Sequence, residues 1–429
     1  MNVLVLNSGS SSQKSCLYEI GDALPHDPPA AIWEGKIEWA AGQTAGQAAG
    51  QANGKAEYSI KNSRGVSVKD LPSAGSRAES IERLLQSLWS GETQAISKPS
   101  DIDIVGHRVV HGGPHHFEPA VVTDEVKAAI EGVSVFAPLH NRAELQGMEI
   151  VAKLLGPVPQ VAVFDTGFHH HMPLAAATYP GPYDWFEQGI RRYGFHGINH
   201  QYCAERAAKL LGRDLNSLKL VTCHLGNGCS LAAIREGRSV DTTMGFTPLE
   251  GLMMGTRSGS VDPGVLTYLM RRRHFLDEQL DDVLNKKSGL LGISGFSSDM
   301  REILAACKNG SAPEKMARAK LAFDIYVHRL QSGIGAMIAV LGGADAVVFT
   351  AGVGENSPEV RSAVCDSFAF LGLRLDREKN AEPPADKNPA VKNDDYDISA
   401  RDAAVRVLVI HAQEDWMIAR ECWKLAKNR

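Results

Sequence analysis

One arrangement occurs twice in this chain and restricts its fold more than any other feature. Residues 3–20, "VLVLNSGSSSQKSCLYEI", run from an apolar strand through a loop of small polar residues into a second strand. Residues 218–234, "LKLVTCHLGNGCSLAAI", repeat the design in the second half. The repetition predicts two similar α/β halves, each beginning with a hairpin. The first loop does not fit G-x-x-x-x-G-K-[ST], and an extended segment rather than a helix follows it. In both loops, small residues would let backbone N–H groups converge on an anion. An ordinary hairpin turn is the other reading, because Asn227-Gly228 is a favoured turn pair.

The remaining pattern agrees with an α/β class. Strands are predicted at 31–39, 56–62, 102–113 and 158–169, and helices at 80–89 and 199–211. Residues 344–361 read as a strand, a glycine turn and a helix start, and 404–422 as a strand, a polar turn and a closing helix. Between the strands at 31–39 and 56–62 lies a Gly/Ala/Gln-rich stretch, residues 41–55, whose composition predicts a solvated loop.

The length of 429 residues predicts two or three domains. A net charge of -5 implies no bulk attraction to nucleic acid or to an anionic membrane, so an anionic ligand must be met by local positive groups. The opening residues carry no basic n-region, and no apolar run approaches a membrane span. The 7 cysteines are odd in number and form no C-x-x-C. That predicts reduced thiols and a cytoplasmic location.

Polar residues gather at predicted strand ends, where α/β folds bind ligands. Asn7–Lys14 offers serine hydroxyls, backbone amides and one lysine. "HLGNG" at 224–228 offers His224 and Asn227 between glycines. Arg257 stands in "GLMMGTRSG" and Arg108 in "GHRVVHGG". A planar guanidinium in such a setting suits a carboxylate or a transferring phosphoryl group. The carboxylates Asp165, Glu355, Glu414 and Asp415 could hold Mg²⁺, which needs only one or two of them. The histidines of "FHHHM" at 168–172 do not have the spacing of a zinc site.

Nine stretches together resemble the acetate kinase family, in the family's order: "VLVLNSGSSSQK", "GHRVVHGG", "APLHN", "VAVFDTGFH", "RRYGFHGINH", "VTCHLGNG", "GLMMGTRSG", "LNKKSGLLGISGFSSDMR" and "VVFTAGVGENS". They span residues 3–357. The resemblance implies membership of the sugar-kinase, heat-shock-ATPase and actin superfamily. That is a duplicated ribonuclease-H-like α/β fold of two domains with a cleft between them. Residues 1–165 with 415–429 would form the acyl-substrate and metal-side domain, and 166–414 the nucleotide-binding domain.

The activity implied is reversible phosphoryl transfer from ATP to acetate, giving ADP and acetyl phosphate, with Mg²⁺ or with Mn²⁺ as a substitute. Carried over by motif, Asn7 and Glu414 stand at the metal. Arg108, His140, Asp165, His196 and Arg257 are the catalytic set. The acyl pocket takes Arg108, Val110, Leu139, Phe195 and Pro248. The ATP phosphates fall to Ser10, Ser12, Lys14 and the run His224, Leu225, Gly226, Asn227 and Gly228. The adenosine pocket takes Asp299, Met300, Arg301, Gly352, Val353, Gly354, Glu355 and Asn356. Family members are homodimers, and neither nucleic acid nor membrane is an expected partner.

Physical chemistry accounts for such a set. A carboxylate with a pKa near ~4 is already ionised at neutral pH and needs no general base. Catalysis reduces to alignment and charge stabilisation. Asp165 is therefore expected to fix an arginine or a metal-bound water, not to accept a proton. Three places depart from the family pattern. Ile198 and Asn199 follow His196-Gly197 where the family usually shows Thr-Ser. "IHAQEDWMIAR" replaces a Pro-Thr-Asn-Glu-Glu-Leu run, leaving Glu414 and Asp415 both open as the metal-side carboxylate. His115 and His116 are additional histidines near Arg108.

Overall fold

A computed structural model describes residues 1–8, 12–39, 56–69, 76–134, 140–308, 310–382 and 395–428. The chain divides into two compact units, Met1–Gly167 with Gln413–Arg429, and Phe168–Ala412. Each is built on one mixed sheet.

The first unit's sheet contains β1 (Asn2–Ser8), β2 (Ser12–Glu19), β3 (Trp33–Trp39), β4 (Ala56–Asn62), β5 (Ser67–Lys69), β6 (Ile104–Val109), β7 (Ala120–Val121) and β8 (Gln160–Phe164). Their spatial order is β5-β4-β3-β2-β1-β6-β8-β7. Strands β1, β2 and β3 form an antiparallel meander, and β6 and β8 extend it in parallel with β1. The second unit's sheet contains β9 (Lys219–Leu225), β10 (Cys229–Arg235), β11 (Arg238–Thr242), β12 (Ala346–Thr350), β13 (Tyr396–Asp397) and β14 (Arg406–Val409), ordered β11-β10-β9-β12-β14-β13. Here too a three-strand meander is extended in parallel by two strands.

Both sheets therefore contain the same core, a meander followed by two crossover strands, as expected of a duplicated ribonuclease-H-like fold. Strands β1 and β9 are the equivalent first strands, and both recurrent loops follow them. The parallel strands need helical crossovers. Helix Arg77–Gln86 precedes β6, helix Asn141–Leu155 precedes β8, and the 29-residue helix Pro313–Leu341 precedes β12. Helix Gly197–Leu211 covers β9 and β12, and helix Glu414–Lys427 covers β1 and β6. The chain thus returns at its end to complete the first unit.

Two sequence expectations need correction. The helix expected at 80–89 runs from Arg77 to Gln86, because the Ser76 side chain accepts a hydrogen bond from the Glu79 N–H and starts it early. The glycine turn expected after β12 is a short helix, Ala351–Asn356. Ala351 makes the change of direction alone, with φ of 64°. Gly352 and Gly354 lie inside that helix. The stretch 41–55 lies outside the described residues.

Burial follows the layers. Ile81, Leu84 and Leu85 of one helix join Trp33 and Ile37 of β3 and Tyr58 and Ile60 of β4, together with Val105 and Val151. On the other face, Ile418 and Cys422 lie against β6 so closely that a methyl group built on Gly106 would fall 2.6 Å from each. Overpacking of this kind typically costs about 1–3 kcal/mol. Gly106→Val is expected to lower the thermal midpoint of the protein, measured by differential scanning calorimetry. An unchanged midpoint would contradict the packing described.

Candidate active site

In the first unit the candidate residues collect at the carboxyl ends of the three adjacent parallel strands β1, β6 and β8. Asn7 is near the end of β1, Arg108 near the end of β6, and Asp165 directly after β8. Strand register sets their proximity, because the Asp165 N–H donates to the Val109 carbonyl at 2.8 Å. The Arg108 Nη2 then donates to Asp165 Oδ2 at 2.8 Å, with side chains 12% and 0% exposed. Burial opposes the charge on Arg108, but Asp165, Glu414 and Glu144 outweigh it and hold the guanidinium protonated.

Glu144 was not singled out in the sequence. It stands in the first turn of helix Asn141–Leu155, and both its carboxylate oxygens accept from the Val110 N–H, at 3.2 and 3.1 Å. Burial pushes its carboxyl up to about 8, against the pull of Arg108 and the Val110 hydrogen bond. Its signal in the sequence is the spacing from His140, which precedes the helix and whose carbonyl accepts from the Glu144 N–H at 3.0 Å. Asn141 is fully buried and donates to the carbonyls of His111 and Ile130. It anchors the helix start to the segment after β6. His116 stacks on Phe164, the last residue of β8, with centroids 5.7 Å apart.

The residues expected at the metal also meet. The Asn7 Nδ2 donates to Glu414 Oε2 at 3.2 Å and to Asp415 Oδ1 at 3.0 Å. Lys14 pairs with Asn7 in the β1–β2 register. Burial raises the Asp415 carboxyl, Lys14 pulls it down, and Glu414 adds to the rise. An amide and two carboxylates form a hard oxygen donor set that fits Mg²⁺. Ser10 and Leu139 lie outside the described residues.

In the second unit the glycine loop after β9 lies beneath two histidines and an arginine. The rings of His196 and His224 stack with centroids 4.0 Å apart and planes 10° apart. A methyl group built on Gly228 would lie 2.9 Å from Arg257 Nη2 and 3.4 Å from His196 Nε2. One built on Gly226 would lie 3.6 Å from His224 Nε2. The Arg257 Nη1 donates to the Pro248 carbonyl at 2.5 Å, and the Gly255 N–H donates to the Asn227 carbonyl at 3.1 Å. His196 takes a φ of 58°, an uncommon conformation for a residue with a side chain, immediately before helix Gly197–Leu211. Phe195 beside it is buried, and its carbonyl is 3.1 Å from His169 Nε2. That contact gives one histidine of "FHHHM" a place inside the unit.

Other candidates in this unit are partnered locally. The Asp299 side chain caps helix Met300–Ala306 and pairs with Arg301, whose side chain is 89% exposed, while Met300 is buried. Glu355 faces the unit's end: its Oε2 is 2.5 Å from His411 Nδ1 and its Oε1 accepts from the Ala412 N–H. Burial alone would raise its carboxyl, but these partners hold it below the usual value. Val353 and Asn356 share its helix, and Asn356 donates to the Gly352 carbonyl.

Sequence reading also missed the residues that support the loop carrying Pro248. Arg192 Nη1 donates to the carbonyls of Thr242, Thr243 and Met244, and its Nη2 donates to Glu250 at 2.7 Å. Tyr179 donates to the same carboxylate and accepts from the Phe246 N–H. Arg192 stands in "RRYGFHGINH", but nothing in that stretch shows that its partners lie at 242–250.

A duplicated sheet with a basic, glycine-floored site places the chain among α/β phosphotransferases. Comparison with known proteins narrows this. The chain belongs to the acetokinase family, whose model matches residues 2–420. Acetate kinases of Cyanothece sp. and Nostoc punctiforme are each 56% identical to it, over 100% of this chain and 99% and 100% of theirs. Among solved structures, Porphyromonas gingivalis acetate kinase is similar with a TM-score of 0.84 and 38% identity, covering 99% of both chains. A propionate kinase from Francisella tularensis has the same TM-score with 33% identity and 99% coverage of both. Family membership makes the chain a kinase.

Glu144 offers a test of the buried site. Its folded-state pKa is raised, so its contribution to stability is fully present below its ordinary value and is lost as pH rises towards about 8. Glu144→Gln keeps an acceptor for Val110 and removes the titration. Thermal midpoints measured between about pH 5 and 8 are expected to show the variant gaining on the wild type as pH rises. Parallel curves would contradict the assignment.

Proposed function

We propose that the chain catalyses the reversible, Mg²⁺-dependent transfer of the γ-phosphoryl group of ATP to acetate, by direct in-line attack of the carboxylate. The observation that carries the reading is the grouping of His196, His224 and Arg257 above Gly226–Gly228, within a chain of the acetokinase family. Acetate is anionic at neutral pH, so the reaction asks for charge stabilisation and alignment, which such donors supply.

Arg108 is assigned to the acetate carboxylate, with Asp165 as the fixed counter-charge that orients it. Val110, Phe195, Pro248 and Leu139 are assigned to the acetate methyl group. Arg257, His196 and His140 are assigned to the oxygens of the moving phosphoryl group. Ser10, Ser12, Lys14 and His224–Gly228 bind the nucleotide phosphates. Asp299, Met300, Arg301 and Gly352–Asn356 border the adenosine, so the second unit is the nucleotide-binding domain. Asn7 and Glu414, with Asp415 beside them, would hold Mg²⁺. That ion would neutralise phosphate charge, and Mn²⁺ would serve the same donor set.

A homodimer is supported by helix Pro263–Arg273, which buries none of its residues and exposes Val265, Tyr268 and Met270. A reducing, cytoplasmic setting is supported by the 7 cysteines, all of them free thiols. The similarity to a propionate kinase favours a second acid as a poorer substrate. One methylene changes discrimination by only about 1–3 kcal/mol.

The test is hydroxylamine trapping of the acyl phosphate with acetate, propionate and butyrate, with and without Mg²⁺. Product is expected with acetate and metal, and none with any acid would overturn the reading. Arg257→Ala and His196→Ala are each expected to lower kcat by roughly 10²–10³, with KM for ATP changed much less. Equal losses in both parameters would contradict the assigned roles.

A further inference from the structure

Behind the stacked histidines lies a chain of buried side chains. His196 Nδ1 is 2.8 Å from Ser230 Oγ. The same Oγ is 2.8 Å from His200 Nε2, and His200 Nδ1 is 2.7 Å from Thr222 Oγ1. Ser230, His200 and Thr222 are all fully buried. Beside them, Asn199 Nδ2 is 2.8 Å from His224 Nδ1. Helix and strand register create this order: residues 196, 199 and 200 are neighbours on one helix face. Thr222 and His224 lie on the same face of β9, and His224 pairs with Ser230 on β10.

Hydrogen counting restricts the polarity of the chain. Ser230 has one proton, so at most one of its two imidazole partners can accept from it and at least one must donate to it. The surroundings of His196 decide which. It lies against the His224 ring on one side, and the Arg257 guanidinium approaches the same point above Gly228. An imidazolium there would face a fixed positive charge. An uncharged imidazole can donate towards the loop only with its proton on Nε2, so Nδ1 must accept.

We infer that Thr222, His200 and Ser230 are positioning residues that donate in sequence, Thr222 to His200, His200 to Ser230 and Ser230 to His196, and so fix the proton of an uncharged His196 on Nε2. Asn199 does the same for His224, through its Nδ2 donation to Nδ1. Both imidazoles then present Nε2–H to the glycine loop without needing to be protonated. Burial, with His169 and His224 nearby, pushes His200 well below its ordinary value, so it remains a neutral link. Asn199 is one of the two positions after His196-Gly197 where this chain departs from the usual family pattern, and its reach to His224 gives that departure a purpose.

The inference rests on the phosphoryl-binding role proposed for His196, and its test separates the two. Protein labelled with ¹⁵N-histidine is examined by long-range ¹H–¹⁵N correlation, with His196 assigned from the His196→Gln spectrum. His196 and His224 are each expected to show a bare Nδ1 and a protonated Nε2. Thr222→Val and Ser230→Ala are expected to shift the His196 nitrogens towards averaged values, whereas Ser230→Thr restores them. In Ser230→Ala, kcat is expected to fall about tenfold with little change in KM for ATP. Thr222→Val alters no group beside His196, so it keeps the test open if Ser230→Ala fails to fold. A proton on Nδ1 of His196 in the wild type, or an unchanged pattern in both Thr222→Val and Ser230→Ala, would overturn the inference. Full turnover by His196→Ala would instead overturn the proposed role and leave the tautomer pattern standing.

Discussion

Hydrogen bonding between parallel strands decides where chemistry can sit in this chain. Strands β1, β6 and β8 run in one direction, as do β9, β12 and β14. Their carboxyl ends therefore open on the same edge of each sheet, and the residues just beyond them are free of the ladder. Asn7, Arg108 and Asp165 occupy that edge in one unit. His224 and Thr350, in register across β9 and β12, occupy it in the other. The duplicated meander supplies each unit with one further element, the loop that leaves its first strand.

Once the edge exists, burial gives the charges their use. Arg108 and Asp165 would each be costly to bury alone, and their pairing offsets that cost. The guanidinium is then held in one orientation before any ligand arrives, which is the condition under which a charged donor stabilises a transition state most effectively. The histidine cluster follows a different rule. Burial pushes His200 well below its ordinary value, so its hydrogen bonds rather than a charge determine what it presents. His107 shows the same behaviour in the first unit: burial lowers it to about 4 while Gln160 holds its Nε2 at 2.7 Å.

Much of the frame was legible in the sequence because it depends on local pattern. The apolar runs at 3–6 and 220–223 read as strands, and the repeated glycine loops agreed with the duplication that the family resemblance implied. The motif residues Asn7, Arg108, His196 and Arg257 stood out because glycine or small residues surround them. The start of helix Arg77–Gln86 was missed although Ser76 and Glu79 carry a capping signal. The turn falls at Ala351 rather than at the glycines that follow it, which lie inside the short helix. What Glu144, Ser230, His200 and Arg192 touch was not legible, since their partners are distant along the chain. No local pattern marks a serine that bridges two histidines.

The central claim is that catalysis here is alignment, with acetate attacking the phosphoryl group directly and no side chain forming a covalent link to phosphate. The stereochemical course at phosphorus tests it most directly, using ATP made chiral at the γ-phosphorus with oxygen isotopes. A single in-line displacement predicts inversion of configuration in acetyl phosphate. Retention would mean two displacements through a phosphorylated side chain, and would contradict the account.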